Sequence, residues 1–129
     1  MVIVDTSAWV DHIRGLPTLV EELLGEGKIV LHPFVFGELL LNGLPKSGPF
    51  SAAAFAKLAV APVASATEVT AFIQWAKLAG QGVGYVDTHL LLSAKISDNT
   101  TLLTTDGNLK EQAERFGVAY QTSISTRST

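Results

Sequence analysis

Short apolar runs alternate with helix-like stretches along this whole chain, and that rhythm limits the possible folds more than any other feature. Residues 1–5 read as a short buried strand, Val2-Ile3-Val4 closing on Asp5, and residues 6–14 read as a helix. A second helix begins at Pro17, with Leu19, Val20, Leu23 and Leu24 apolar and Glu21 and Glu22 polar. Residues 28–31 read as a strand. Pro33 stands where a helix N1 proline belongs, and that helix runs to Asn42-Gly43. An Ala-rich helix over 50–58 precedes a weak strand over 59–63. A helix over 67–78 then takes Thr67 as its N-cap. The glycine-rich loop GQGVGYV leads into Asp87 and a helix over 87–96. A strand over 101–105, a helix over 107–116 and a last strand over 118–121 follow. The Ser/Thr-rich tail from about 122 is expected to fray. Strand–helix alternation of this kind predicts a three-layer α/β/α sandwich. Its central sheet is mainly parallel, with four or five strands and helices on both faces. At 129 residues the chain is one such domain, 1–129.

In a parallel sheet, sites form at the carboxyl ends of the strands. Asp5 stands just after the first strand and Asp106 just after TLLTT. Asp87 stands where the glycine-rich loop enters a helix. Taken singly, each has an ordinary explanation, because Asp is a favoured helix N-cap. Glu38 is harder to explain. On its helix face lie Phe34, Val35 and Leu41, and a carboxylate on an apolar stripe either snorkels to the surface or needs a partner or a cation. His32 and Lys28 are not at helical spacing from it. Four carboxylates drawn to one sheet edge repel one another, and a cation relieves that repulsion. With no cysteine in the chain, disulfides and thiolate metal sites are excluded. Oxygen donors favour Mg²⁺ or Mn²⁺.

The stretches IVDTSAWVDHIRG, HPFVFGELLLNG and GVGYVDTHLLLSAKISDNTTLLTTDGNL, in this order and spacing, resemble a PIN-domain protein. The likeness is closest to the VapC-type toxins of VapBC toxin–antitoxin pairs. It implies a PIN-like fold and carries four catalytic, metal-holding acids onto Asp5, Glu38, Asp87 and Asp106. Thr6 or Ser7 matches the supporting hydroxyl that follows the first acid, acting on Asp5 or on a water. It further implies Mg²⁺- or Mn²⁺-dependent endoribonuclease activity on transfer or ribosomal RNA, a homodimer, and inhibition by a cognate VapB-type antitoxin. Thr105 stands before the last Asp where many relatives carry a basic residue.

A net charge of −3 runs against an ordinary nucleic-acid binder, which is usually basic, unless bound cations reverse the charge locally. Arg14, Lys46, Lys95, Lys110 and Arg115 are the candidate RNA phosphate contacts. Nothing in the spacing of His12, His32 and His89 pairs two of them, so a metal-free, two-histidine ribonuclease is disfavoured. His89 reads as structural in preference to substrate-facing, Asp11 as a surface acid, and Trp9, Phe34, Phe36 and Trp75 as core. The apolar helices over 17–24 and 33–41 leave a groove in which an antitoxin helix would dock. GQGVG lacks the Lys-Ser/Thr of a P-loop, and reads as a mobile loop positioning Asp87. Ser7 stands where a haloacid-dehalogenase-type hydrolase needs its second Asp, and Thr104-Thr105 where a receiver domain wants Lys. The alternative within the resemblance is a catalytically silent PIN module that acts by binding RNA or protein. The start lacks the basic region of a signal peptide, and residues 47–67 carry Pro49 and Pro62. Neither secretion nor a membrane span is therefore expected, and the chain is expected in the cytoplasm.

Overall fold

A computed structural model of the chain describes residues 1–121. The expected tail from about 122 lies outside the described residues. Among the described residues four strands form one all-parallel sheet in the order β3-β2-β1-β4: β1 (Val2–Val4), β2 (Ile29–Leu31), β3 (Ala59–Val60) and β4 (Thr101–Leu103). β1 is central and buried at every position, as a strand covered on both faces must be. It pairs Val2 with Ile29 on one side, and Val2 to Val4 with Thr101 to Leu103 on the other.

Among the described residues seven helices flank the strands: α1 (Thr6–Ile13), α2 (Val20–Gly25), α3 (Pro33–Asn42), α4 (Ala52–Phe55), α5 (Ala66–Ala76), α6 (Tyr85–Ile96) and α7 (Gly107–Arg115). α1 packs on α2 and α3, while α6 packs on α5 and α7, which builds the two outer layers of the sandwich. The core joins Ile3 and Val4 of the sheet to Trp9, Val35, Leu39, Leu91, Leu109 and Ala113 in one buried cluster. α6 carries the longest buried run, from Thr88 to Ala94. Among the described residues no helix is long and apolar enough to cross a membrane.

Several elements differ from their sequence expectation. The last strand is reduced to one parallel bridge, Leu102 to Ala119, held by Leu102 N–H to Val118 O at 2.7 Å and Tyr120 N–H to Leu102 O at 3.0 Å. The helix over 50–58 shrinks to the single turn of α4, capped by the Ser51 hydroxyl. α5 is capped by Ser65 rather than Thr67. Ser65 Oγ accepts the Glu68 N–H while Glu68 Oε1 accepts the Ser65 N–H, and this reciprocal pair outcompetes a cap two residues later. Trp75 is not core: it is 67% exposed, stacked on Phe72 with Lys95 above its ring.

Candidate active site

The carboxyl edge of the sheet delivers the acids. Asp5 leaves β1 in extended conformation and caps α1, its Oδ1 accepting the Ala8 N–H at 2.9 Å. The capping role is real, and it leaves the carboxylate oriented toward the edge. Asp5 is only 3% exposed. Burial pushes its pKa above the usual carboxylate value, and the charges of Asp87 and Asp106 push the same way. Hydrogen bonds from Thr104 and Ala8 oppose the rise.

Asp106 caps α7, its Oδ1 accepting the Leu109 N–H at 3.0 Å. Asp87 does not precede its helix as expected. α6 begins at Tyr85, with Gly84 as the extended cap residue. Asp87 is the third helical residue, and its Oδ2 reaches back to the Gly84 N–H at 3.2 Å. Its pKa is also raised, first by partial burial, then by Asp106 and Glu38, against the Gly84 hydrogen bond. Asp87 thus feels acids from two other elements, and Asp5 feels Asp87 and Asp106. Four chain segments place negative charge in one field.

Of the two readings open for Glu38, the structure shows the surface one: Glu38 is exposed, and Leu41 on the same face is 90% exposed. Its partner is Thr6, whose hydroxyl donates to Glu38 Oε1 at 2.6 Å. Thr6 therefore supports Glu38 rather than Asp5, and Ser7 is exposed. The hydroxyl that orients Asp5 is Thr104, which sequence reasoning missed: Thr104 Oγ1 donates to Asp5 Oδ2 and accepts the Asp106 N–H at 3.0 Å.

Asn108 and Gly82 add a further link. Gly82 has φ +76, and a Cβ there would collide with the Asn108 side chain, whose Nδ2 faces Gly82 O at 3.5 Å. The loop that delivers Asp87 is thus seated on the first turn of α7, which Asp106 caps. Each acid is held by its own hydrogen bond. Among the described residues no three His, Asp or Glu side chains stand as a ready metal-holding group.

The expected phosphate contacts separate into two sets. Arg14 lines an open cleft of about 640 Å³ with Thr6, Ser7, Asp11, Glu38 and Leu41, so Asp11 is part of this rim. Lys110 stands one turn after Asp106 and lines a smaller recess of about 130 Å³ beside Thr104. Lys46 is exposed in the loop after α3. Lys95 lies over the Trp75 ring at 5.5 Å, at the far end of α6 from Asp87. Arg115 is occupied structurally, its Nη1 donating to Ala76 O at 2.7 Å and packing on Phe116.

Two histidines do come together, against expectation. The rings of His32 and His89 lie 6.3 Å apart, with Phe34 edge-on to His32 and tilted against His89. His32 Nδ1 caps α3 by accepting the Phe34 N–H at 3.0 Å. Burial, then the neighbouring His89, push the His32 pKa down to about 4, and burial lowers that of His89. Both rings are therefore neutral at pH 7 and packed inside, the structural role expected of His89.

The four-stranded parallel sheet between helices is consistent with a PIN-like α/β sandwich, and the chain belongs to that family: residues 2–115 match the PIN domain. Within it the chain falls in the VapC group. It is 34% identical over 125 residues to "Ribonuclease VapC32" of Mycobacterium tuberculosis, in strains CDC 1551 / Oshkosh and ATCC 25618 / H37Rv. The match covers 97% of this chain and 100% of each relative. No solved structure matches the chain significantly.

Proposed function

We propose that this chain is the endoribonuclease toxin of a VapBC pair, hydrolysing RNA phosphodiester bonds with Mg²⁺ or Mn²⁺ until a cognate VapB-type antitoxin silences it. What supports the reading is shared charge: Asp87 and Asp106 help raise the pKa of Asp5, and Asp106 and Glu38 help raise that of Asp87. The likeness to a protein named ribonuclease supports it.

All four donors are carboxylates, the chemistry a hard divalent cation takes. Asp5, Asp87 and Glu38 would hold it, with Asp106 completing the set. When bound, it stabilises charge on the scissile phosphate and activates an attacking water. The chain's own residues do the rest. The Ala8 N–H and the Thr104 hydroxyl fix the Asp5 carboxylate, and Thr6 fixes Glu38. Arg14, beside Thr6 and Glu38, and Lys110, beside Thr104, would neutralise flanking phosphates and hold the RNA backbone for displacement. Lys46 and Lys95 make outlying phosphate contacts.

Transfer or ribosomal RNA is the proposed substrate, and the cytoplasm the proposed setting. The cleft beside Thr6 and Glu38, bordered by the exposed Leu41, is the proposed seat of an antitoxin helix. A homodimer completes the reading.

The test is RNA cleavage by purified protein in Mg²⁺ or Mn²⁺, with and without chelator, beside Asp5→Ala. Cleavage that needs the cation and is lost in the variant supports the reading. Equal cleavage by both proteins, or cleavage that survives chelation, refutes it. RNA binding without cleavage would favour the silent module.

A further inference from the structure

Trp75, in the last turn of α5, keeps most of its ring in solvent, a costly setting for so much apolar area. It does not stand alone. Its ring stacks on Phe72 at 6.3 Å and tilts against Phe116 at 6.0 Å, and those two lie 5.4 Å from each other. Three rings thus make one aromatic floor. Phe72 is buried and Phe116 half-buried, so the core fixes the floor from below and Trp75 is the ring left open.

Cations gather around the same floor. Lys95 Nζ stands 5.5 Å from the centre of the Trp75 ring, and the Arg115 guanidinium 4.7 Å from that of Phe116. Arg115 Nη1 donates to Ala76 O and to Gln112 Oε1, which holds its charge in place. Lys77, the left-handed cap residue of α5, is exposed and lines a recess of about 430 Å³ with Arg115. Glu111 lines that recess too, and the cations outnumber it, in a chain whose net charge is −3. A purely apolar partner would cover these cations without pairing them. An unpaired nucleotide offers what the surface lacks, a flat base for the ring and a phosphate for the cations. α6 joins this surface to the acids: Asp87 lies in its first turn and Lys95 in its last, about 12 Å further along the axis.

We propose that Trp75 is an accessory RNA contact: an unpaired base stacks on its ring while Lys95, Lys77 and Arg115 hold the flanking phosphates. The occupant is taken to be RNA on the strength of the nuclease reading above, on which the inference rests.

The experiment measures binding of a labelled single-stranded oligouridylate of about 16 nucleotides, within the span of known single-strand surfaces, to the full chain in chelator over a series of salt concentrations. A duplex RNA of similar length is the comparison. Trp75→Ala should weaken single-strand binding by about 5-fold or more, as loss of a stacked base does, and leave duplex binding unchanged, because a duplex hides its base faces. Trp75→Phe keeps a ring and should stay within about 3-fold of wild type. Lys95→Gln should make the salt dependence shallower by about 0.7 in log–log slope, one phosphate's share, while Trp75→Ala leaves that slope alone. If Trp75→Ala does not fold, Trp75→Leu gives the same reading, since it keeps apolar contact with Phe72 and Phe116 but has no face for a base. Wild-type single-strand binding by the ring-free variants overturns the inference, and so does an equal loss on duplex RNA. Light scattering that shows a changed oligomeric state in Trp75→Ala would make the surface a contact between copies of the chain, which also overturns it. The two readings fail apart. Metal-dependent cleavage by Asp5→Asn at the wild-type rate brings down the nuclease reading, and with it the occupant named here, whereas the binding results in chelator overturn this inference alone.

Discussion

Replacing Asp106 separates two roles that the structure superimposes on one side chain. Asp106 caps α7 through Leu109 N–H, and it adds negative charge to the field around Asp5 and Asp87. Asp106→Ser keeps a capping oxygen and removes the charge, while Asp106→Ala removes both. Losing an N-cap to alanine costs about 1 kcal/mol. With an unfolding entropy of roughly 2.1 cal/mol/K per residue, a chain of 129 residues loses about 4 °C in Tm per kcal/mol. Asp106 is exposed, so its replacement leaves no cavity to add to that figure. Asp106→Ala should therefore melt about 4 °C below wild type in chelator, and Asp106→Ser within about 1–2 °C of it. Cleavage should fall alike in both, by about 10-fold or more, because both lack the carboxylate. Thermal melts and single-turnover RNA cleavage decide the matter. If Asp106→Ser cleaves as wild type does, Asp106 is a cap and nothing more. If Ser and Ala destabilise equally, the capping geometry is wrong.

Other perturbations test the supports around the site. The His32 pKa is lowered in the fold to about 4 from its ordinary 6.5. Its contribution is therefore complete above pH 6.5 and lost as pH falls toward 4, amounting to about 3 kcal/mol. Denaturant titrations across that window should show the decline, and His32→Asn, which can still cap α3, should flatten it. Asp5 and Asp87 act in the opposite sense: their raised pKa values cost stability as pH rises from just below 3.8, so in chelator they favour the acid side. Gly82→Ala places a Cβ at φ +76 against Asn108 and should cost about 1–2 kcal/mol. A matching loss of kcat would follow as Asp87 shifts, and an unchanged melt would contradict the packing. Thr6→Val removes the hydrogen bond to exposed Glu38. It should change stability by less than about 1 kcal/mol, since the bond is solvent-accessible, yet it should reduce cleavage.

What could be read ahead of the structure followed from local chemistry. A three-residue apolar strand ending on Asp5 has one sensible place in a parallel sheet, the centre, and the acid then falls at the carboxyl edge. Asp106 could be read in the same way. Glu38 was reached by a reason that does not hold: the wheel of α3 shows an apolar stripe but not that solvent covers part of it. The S-x-x-E box at Ser65 is a local signal that was available and misplaced by two residues. The bond from Thr104 to Asp5 was out of reach because the two lie at opposite ends of the chain, and a threonine gives no sign of where its proton goes. The pairing of His32 and His89 is hidden for the same reason: it exists only once α3 and α6 come together.

The most direct test removes charge while keeping shape. Cleavage of one RNA in saturating Mn²⁺ is measured for wild type, Asp5→Asn, Glu38→Gln and Asp87→Asn, each also melted in chelator. A four-acid cation site predicts that every variant loses about 100-fold or more in rate, as removal of a metal-holding group does. It also predicts that none melts far below wild type, since amides relieve the repulsion that raises Asp5 and Asp87. Full cleavage by any one of the three, or losses that simply follow unfolding, would contradict it.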